Sequence, residues 1–185
     1  MMKQVAILLA TGFEEIEAVT IIDVLRRADI NVSIVSLQDE YVTGAHGIVI
    51  KADAVLSGEL VDSLANLDGV LLPGGMPGAK HLKENELVIE LLRRVNNRGN
   101  LVGAICAAPI VLEESGIIAD RQITVYPGFE EQMASAQPVD ASVVVDGNII
   151  TGKGPWYAAE FSLQIIEYLV GDKISASVAK GMLRP

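Results

Sequence analysis

The sequence predicts one α/β domain in which helices cover both faces of a doubly wound, mostly parallel sheet. Short apolar runs of strand length alternate with segments of helical periodicity, which is the pattern of successive βαβ units. Most of the runs are apolar at consecutive positions, as expected for strands that are buried on both faces. Half of the residues are apolar but only 4% are aromatic, so the core is predicted to be aliphatic. A chain of 185 residues suits a single domain over residues 1–185.

The predicted strands are short apolar runs. They lie at residues 5–9, 32–37, 69–72, 101–105, 122–125, 142–145 and 148–151. Asp146 and Gly147 join the last two runs, and this residue pair is typical of a two-residue hairpin turn. Residues 41–50, which two glycines interrupt, are predicted to form a short hairpin or a bent strand.

The predicted helices carry apolar side chains at three- and four-residue spacing. They lie at residues 14–28, 85–98, 107–114 and 156–170, and a short helix is expected at the end of the chain. Gly99 and Gly171 follow two of these segments and are typical helix stops. Pro109 suits the first turn of the helix at 107–114.

The composition argues against several classes of function. The formal net charge of −10 disfavours binding to nucleic acid phosphates, which requires clustered Lys and Arg. One cysteine cannot form an intrachain disulfide, and with two histidines it offers no zinc-type ligand spacing. No apolar run reaches the ~20 residues that span a bilayer, and the first residues lack the apolar region of a signal peptide. We therefore expect a cytoplasmic protein with no metal site.

The single cysteine, Cys106, stands between a predicted strand and a predicted helix. Ala104 and Ala108 flank it, as glycines flank the nucleophile elbow of hydrolases, where the tight turn leaves no room for bulk. A thiol above the first N–H groups of a helix is expected to have a lowered pKa and to be reactive. The alternative is a buried cysteine that serves as a small apolar side chain.

Functional groups of doubly wound sheets gather in the loops beyond the carboxyl ends of the strands. These loops are predicted at residues 10–17, 73–78, 106–109, 125–128 and 151–156. The first loop carries three carboxylates, Glu14, Glu15 and Glu17, which would repel a phosphate. Glu14 and Glu15 are expected to compensate the positive end of the helix dipole.

Glu17 differs from the other two acids because its neighbours Phe13, Ile16 and Val19 are apolar. A carboxyl that is partly buried among such side chains is expected to have a raised pKa. It would then stay protonated and could donate a hydrogen bond or a proton.

Other candidates lie in the remaining loops. Gly74 and Gly75 follow a predicted buried strand, and their free N–H groups could supply an oxyanion donor beside Cys106. Tyr126 could orient or protonate a substrate oxygen, although a tyrosine at a strand end is more often a packed ring with a solvated hydroxyl. The pair at 154–155 suits a helix start.

These motifs resemble the ThiJ/PfpI superfamily, and within it the branch that contains the parkinsonism-associated protein deglycase. The resemblance rests on residues 14–17, 71–75, 104–109 and the Gly154–Pro155 pair, and it runs along essentially the whole chain. It implies a flavodoxin-like fold with a nucleophile elbow, a homodimer, and chemistry without a cofactor. It also implies that Cys106 is the nucleophile and that Glu17 is a protonated carboxyl bonded to it.

The same resemblance assigns the oxyanion site to the N–H groups of Gly75 and Ala107, next to Gly74.

The sequence departs from the family pattern at three positions. Ala107 replaces the histidine that follows the cysteine in the protease-like branch. Tyr126 stands where the deglycase-like branch often has histidine, and His46 stands near a position often held by arginine.

The leading hypothesis is an enzyme of the glyoxalase or deglycase type that acts on methylglyoxal, glyoxal or their early adducts. The runner-up is a redox-sensing cysteine protein or chaperone of the oxidative stress response, without significant turnover. A cysteine peptidase or amidase ranks third, because no histidine adjoins Cys106. Which of Tyr126 and His46 takes part in proton transfer is left open.

Overall fold

The computed structural model describes residues 2–184 and confirms the predicted α/β class. Its strands, in chain order, are β1 (Gln4–Leu9), β2 (Asn31–Ser36), β3 (Tyr41–Thr43), β4 (Val49–Lys51), β5 (Ala54–Val55), β6 (Gly69–Leu72), β7 (Leu101–Ile105), β8 (Gln122–Ile123), β9 (Gln137–Pro138), β10 (Val143–Asp146) and β11 (Ile149–Gly152). Its α-helices are α1 (Glu15–Arg27), α2 (Gly58–Leu64), α3 (Gly78–Lys83), α4 (Glu86–Asn97), α5 (Pro109–Ser115), α6 (Ala158–Val170) and α7 (Asp172–Gly181).

Within residues 2–184, seven strands form the central sheet in the order β10-β11-β7-β6-β1-β2-β5. All neighbouring pairs are parallel except β10 and β11, which form the predicted hairpin. The chain passes from β1 to β2 on one side and then returns to β6 on the other side of β1. This reversal creates a switch point between β1 and β6, where doubly wound folds place their functional groups.

An apolar cluster lies on each face of the sheet, as predicted for strands that are buried on both sides. Alternate residues of one strand serve the two clusters: Leu8 points to one face and Ile7 to the other. Helices α2 to α5 cover the first face, and α1, α6 and α7 cover the second. Within residues 2–184, no helix is both long enough and apolar enough to cross a bilayer.

Several elements differ from the sequence prediction for local reasons. Helices α2 and α3 were not predicted, because spans of seven and six residues are too short to show a 3.6-residue period. The helix predicted at 107–114 begins at Pro109, since residues 106–108 form a turn. The helix predicted at 156–170 is divided between a 3₁₀ turn, Pro155–Tyr157, and α6.

The strand predicted at 122–125 lies outside the central sheet. It pairs with β9 over Gln122–Ile123 only. The next residue, Thr124, directs its N–H to the side-chain oxygen of Thr151 at 2.9 Å, so the strand ladder ends there.

Candidate active site

Cys106 occupies a sharp turn between β7 and α5. Its φ angle is 63°, in the left-handed region that non-glycine residues seldom adopt. Two backbone bonds of 2.9 Å hold the turn: the Cys106 N–H donates to Gly152, and the Cys106 carbonyl accepts from Tyr126. The side chain is 8% exposed, so the sulfur lies just below the surface. The predicted elbow is therefore present, and neighbouring loops hold it in a strained conformation.

The loop after β6 approaches this turn so closely that glycine is required. A Cβ atom on Gly74 would lie 2.7 Å from the Cβ of Cys106. Gly75 has a φ of 87°, and a Cβ atom there would lie 2.4 Å from the Glu14 nitrogen. This approach brings the N–H groups of Gly75 and Ala107 to the Cys106 sulfur, where they act to lower the pKa of the thiol. The structure thus brings together Cys106, Gly75 and Ala107, as the sequence suggested.

Glu17 lies in the first turn of α1 and is completely buried. Its Oε2 accepts a 2.6 Å hydrogen bond from the N–H of Gly74. Among residues 2–184, no group completes a hydrogen bond of good geometry to its Oε1. Burial raises the pKa of Glu17 to about 7, and the nearby charge of Glu14 acts in the same direction.

Of the three apolar neighbours that predicted the burial of Glu17, only Phe13 is itself buried. Ile16 and Val19 are 59% and 48% exposed, so they do not enclose the carboxyl. Phe13 and Ile21, one turn before and after Glu17, are buried. Glu17 therefore belongs to the core-facing side of α1, and the raised pKa follows from that position.

The sequence prediction of a lowered cysteine pKa is wrong for a chain with ionised Glu17. Burial raises the pKa of the Cys106 thiol, and so does the nearby negative charge of Glu17. The N–H groups of Ala107 and Gly75 lower it, but by less. Helix α5 begins only at Pro109, so Cys106 lies outside the first turn of the helix that was expected to lower its pKa. Cys106 and Glu17 therefore titrate as a pair that keeps one proton through neutral pH.

Glu15 plays a different part from the helix-dipole role that the sequence suggested. Its side chain is 4% exposed, and it accepts hydrogen bonds from the β3–β4 hairpin. The donors are the N–H groups of His46 and Ile48, at 2.6 and 3.3 Å, and the His46 ring, at 2.9 Å from Nδ1. These hydrogen bonds lower the pKa of Glu15 against the opposing effect of burial, and the hydrogen bond with Glu15 raises the pKa of His46. Glu15 therefore fastens the hairpin to α1.

The other residues predicted for the site lie in two regions, one at the β3–β4 hairpin and one beside the elbow. The His46 ring is 70% exposed and engaged with Glu15, so the structure does not bring it to Cys106. Tyr126 adjoins the elbow through its backbone, while its 44% exposed ring lies over Gly154. Pro155 follows Gly154 and opens the 3₁₀ turn before α6.

Within residues 2–184, one group of three side chains could ligate a metal ion. It consists of Glu14, Glu15 and His46. Their ligand atoms lie within 4.8 Å of one another. No local Cys or His spacing signals this group, because His46 is brought to the two acids by the fold. The Glu15 oxygens already accept three hydrogen bonds from the hairpin. We therefore interpret the group as a structural contact between the hairpin and α1.

Known proteins resemble this chain in both sequence and fold. The model of the DJ-1/PfpI family matches residues 3–168. The chain belongs to the DJ-1/PfpI family. It is 40% identical over 186 residues to protein dj-1beta of Drosophila melanogaster, covering 99% of this chain and 98% of that protein. The crystal structure of the fly protein is similar with a TM-score of 0.92, at 39% identity and coverage of 99% and 98%.

Two further relatives bear on function within the DJ-1/PfpI family. The chain is 36% identical over 169 residues to a Caenorhabditis elegans protein named glutathione-independent glyoxalase DJR-1.2, covering 90% of this chain and 88% of that protein. It is also similar to the structure of oxidised Toxoplasma gondii DJ-1, with a TM-score of 0.90, 34% identity and 98% of each chain covered. The predicted superfamily and flavodoxin-like fold are thus confirmed, and the family includes a protein named as a glyoxalase.

The raised pKa of Glu17 predicts how stability depends on pH. The folded chain binds this proton more tightly than the unfolded chain, whose pKa is near 4.5. The stabilisation is therefore complete below that value and is lost as the pH rises through about 7. Relative to Glu17→Gln, the free energy of unfolding of the wild type should fall by about 3 kcal/mol from pH 4.5 to 8. Urea unfolding at stepped pH values measures this difference, and parallel curves would contradict it.

Proposed function

We propose that the chain is a cofactor-free enzyme that converts α-oxoaldehydes, with methylglyoxal as the simplest, into 2-hydroxy acids. The observation that carries this proposal is the buried Glu17 carboxyl beside Cys106, with two backbone N–H groups directed at the sulfur. The glyoxalase name of the nematode relative supports it. Early adducts of these aldehydes on proteins or nucleotides, as in the deglycase reaction, present the same carbon to the thiolate.

The proton that the pair retains is proposed to lie on Glu17. Two N–H donors, from Gly75 and Ala107, stabilise negative charge on the sulfur. The carboxyl has one such donor, Gly74, and its Oε1 has no donor of good geometry within residues 2–184. A proton on Oε1 removes the free-energy cost of an unsatisfied buried charge. The protonated Oε1 can then donate a hydrogen bond to the thiolate sulfur. The reactive state therefore combines a thiolate with a neutral carboxyl.

The reaction begins when the Cys106 thiolate attacks the aldehyde carbon. A carbon–sulfur bond forms, the aldehyde π bond opens, and Glu17 protonates the new alkoxide to give a hemithioacetal. The Gly75 and Ala107 N–H groups stabilise the negative charge as it develops. Glu17, now ionised, is positioned to act as the base in the next step.

Glu17 then removes the proton from the former aldehyde carbon, giving an enediolate, and returns a proton to the neighbouring carbon. The hydroxyl proton moves to the second oxygen, so the ketone is reduced to an alcohol and the aldehyde is oxidised to a thioester. Water hydrolyses the thioester to a 2-hydroxy acid, and the released thiol returns its proton to Glu17. The net reaction adds one water, and the internal oxidation and reduction balance without an external redox partner.

Removing either reactive group should abolish turnover. We expect Cys106→Ser and Glu17→Gln each to lower kcat/KM for methylglyoxal by at least about 100-fold, because each removes a group of the reacting pair. Lactate release by the purified proteins measures the effect. Glu59→Gln is the matched control, since it removes an exposed carboxylate from the first turn of another helix, α2, and should stay within about threefold of wild type. Turnover at the wild-type rate in both Cys106→Ser and Glu17→Gln would refute the proposal.

A redox-sensing role is the second candidate, and the oxidised Toxoplasma relative favours it. The same N–H groups that support a thiolate would support a sulfinate on Cys106. A chain that only senses oxidants would gain two oxygen atoms at Cys106 under mild peroxide while consuming no methylglyoxal. Intact-mass analysis alongside the turnover assay separates the two functions.

We also propose that the protein is a cytoplasmic homodimer, as the family resemblance implies. Ile16 and Val19 are 59% and 48% exposed on α1, and Ile48 is 55% exposed on the hairpin that Glu15 fastens beside them. Exposed aliphatic side chains grouped in this way are typical of a protein interface.

Charge introduced on this face should disrupt the dimer. Val19→Glu is expected to give a monomer in size-exclusion chromatography with light scattering, because a carboxylate would be buried without a partner. Val145→Glu on β10 is the matched control, since that valine is also 48% exposed. A dimer that persists in Val19→Glu, or one lost equally in both variants, would place the interface elsewhere.

A further inference from the structure

Trp156, the single tryptophan of the chain, is 90% exposed. It lies in the 3₁₀ turn that precedes α6, immediately after Gly154 and Pro155. Leaving so large an apolar ring in water forgoes on the order of 2 kcal/mol of burial free energy. The ring does not pack into the core beneath α6, so core packing does not explain why a tryptophan stands at this position.

The ring forms one wall of an open cavity of about 230 Å³. Its other walls are the side chains of Tyr126, Pro127, Pro155 and Tyr157, and Gly154 lies beside the Tyr126 ring. A cavity of about 150 Å³ can hold benzene, so this one has room for a phenyl group. The lining is therefore suited in size and chemistry to a flat apolar ring.

Both sides of this cavity begin next to the nucleophile. Tyr126 donates its N–H to the Cys106 carbonyl at 2.9 Å, and Cys106 donates its N–H to Gly152 at 2.9 Å. Gly154, two residues beyond Gly152, lies in the cavity lining. A group attached to a substrate carbon at the sulfur could therefore extend into the cavity.

The charges around the cavity disfavour a charged occupant. Lys153 is the one charged residue in its lining, and its ammonium is paired with the Asp140 carboxylate. An anionic group would have to compete with Asp140, and a cationic group would find no free carboxylate in the lining. An uncharged aromatic ring fits because it can pack against Trp156 and Tyr126 without leaving a charge unpaired.

We propose that this cavity holds the aryl substituent of an arylglyoxal whose aldehyde carbon is attacked by Cys106. The inference rests on the proposed function and names its preferred substrate class. The same bonds form and break as for methylglyoxal: the aryl α-oxoaldehyde takes up one water and becomes an aryl 2-hydroxy acid. Methylglyoxal carries only a methyl group and therefore has no ring to pack against Trp156.

The kinetic test compares phenylglyoxal with methylglyoxal. Trp156→Ala should lower the ratio of kcat/KM for phenylglyoxal to that for methylglyoxal about tenfold, mainly through KM. Tyr168→Ala, which removes a 42% exposed aromatic ring at the other end of α6, should keep the wild-type ratio. An unchanged ratio in Trp156→Ala would overturn the proposal.

A binding test separates this proposal from the proposed function. In Cys106→Ser, which cannot turn over, all tryptophan fluorescence comes from Trp156. Mandelate, the product expected from phenylglyoxal, should change this emission, whereas lactate should not.

No response to mandelate overturns the proposal even if methylglyoxal is consumed. A blue shift that depends on protein concentration alone would overturn it by showing that a second copy covers Trp156. If the wild type consumes neither aldehyde, the proposed function fails, and a mandelate response would still support an aryl-binding cavity.

Discussion

The burial of one carboxyl against one thiol is the constraint on which the rest of the site depends. Glu17 is inaccessible to water and its pKa is raised to about 7, so the pair it forms with Cys106 cannot easily hold two negative charges. The glycines after β6 stabilise the pair, since the N–H of Gly74 donates a hydrogen bond to the carboxyl and the N–H of Gly75 acts to lower the pKa of the thiol. Cys106 itself has a strained backbone, with a φ angle of 63°.

The sheet explains why groups so far apart in sequence meet. Strands β1, β6 and β7 are adjacent, and the residues that follow their carboxyl ends supply Glu17, the glycine pair and Cys106 respectively. Strand β11 adjoins β7 on the other side, so the loop with Trp156 reaches the same edge of the sheet. The reactive pair and the aromatic cavity are thus two neighbouring parts of one edge. The first would perform the chemistry and the second would select the group attached to it.

The fold and the elbow were predictable because their signals are local. Apolar runs define the strands, and Cys106 between two alanines marks the turn. Glu17 was found for a partly mistaken reason, since its buried neighbours are one helical turn away and not adjacent in sequence. The pairing of Glu15 with His46 joins residues 31 positions apart, and no periodicity reveals it. The direction of the Cys106 pKa shift depends on burial and on Glu17, and neither can be judged from a helix start alone.

The central claim is that Cys106 and Glu17 share one proton that lies on the carboxyl. The most direct measurement is the rate of Cys106 alkylation by iodoacetamide from pH 4 to 10, in the wild type and in Glu17→Gln. Under this claim the thiol loses its proton before the carboxyl does, so the wild-type rate should rise in one step below pH 7, the value near which Glu17 would ionise beside a protonated thiol. In Glu17→Gln the thiol titrates alone, so the midpoint should move by at least about one pH unit. Superimposable profiles would contradict the claim, because they would show that the thiol titrates without regard to Glu17.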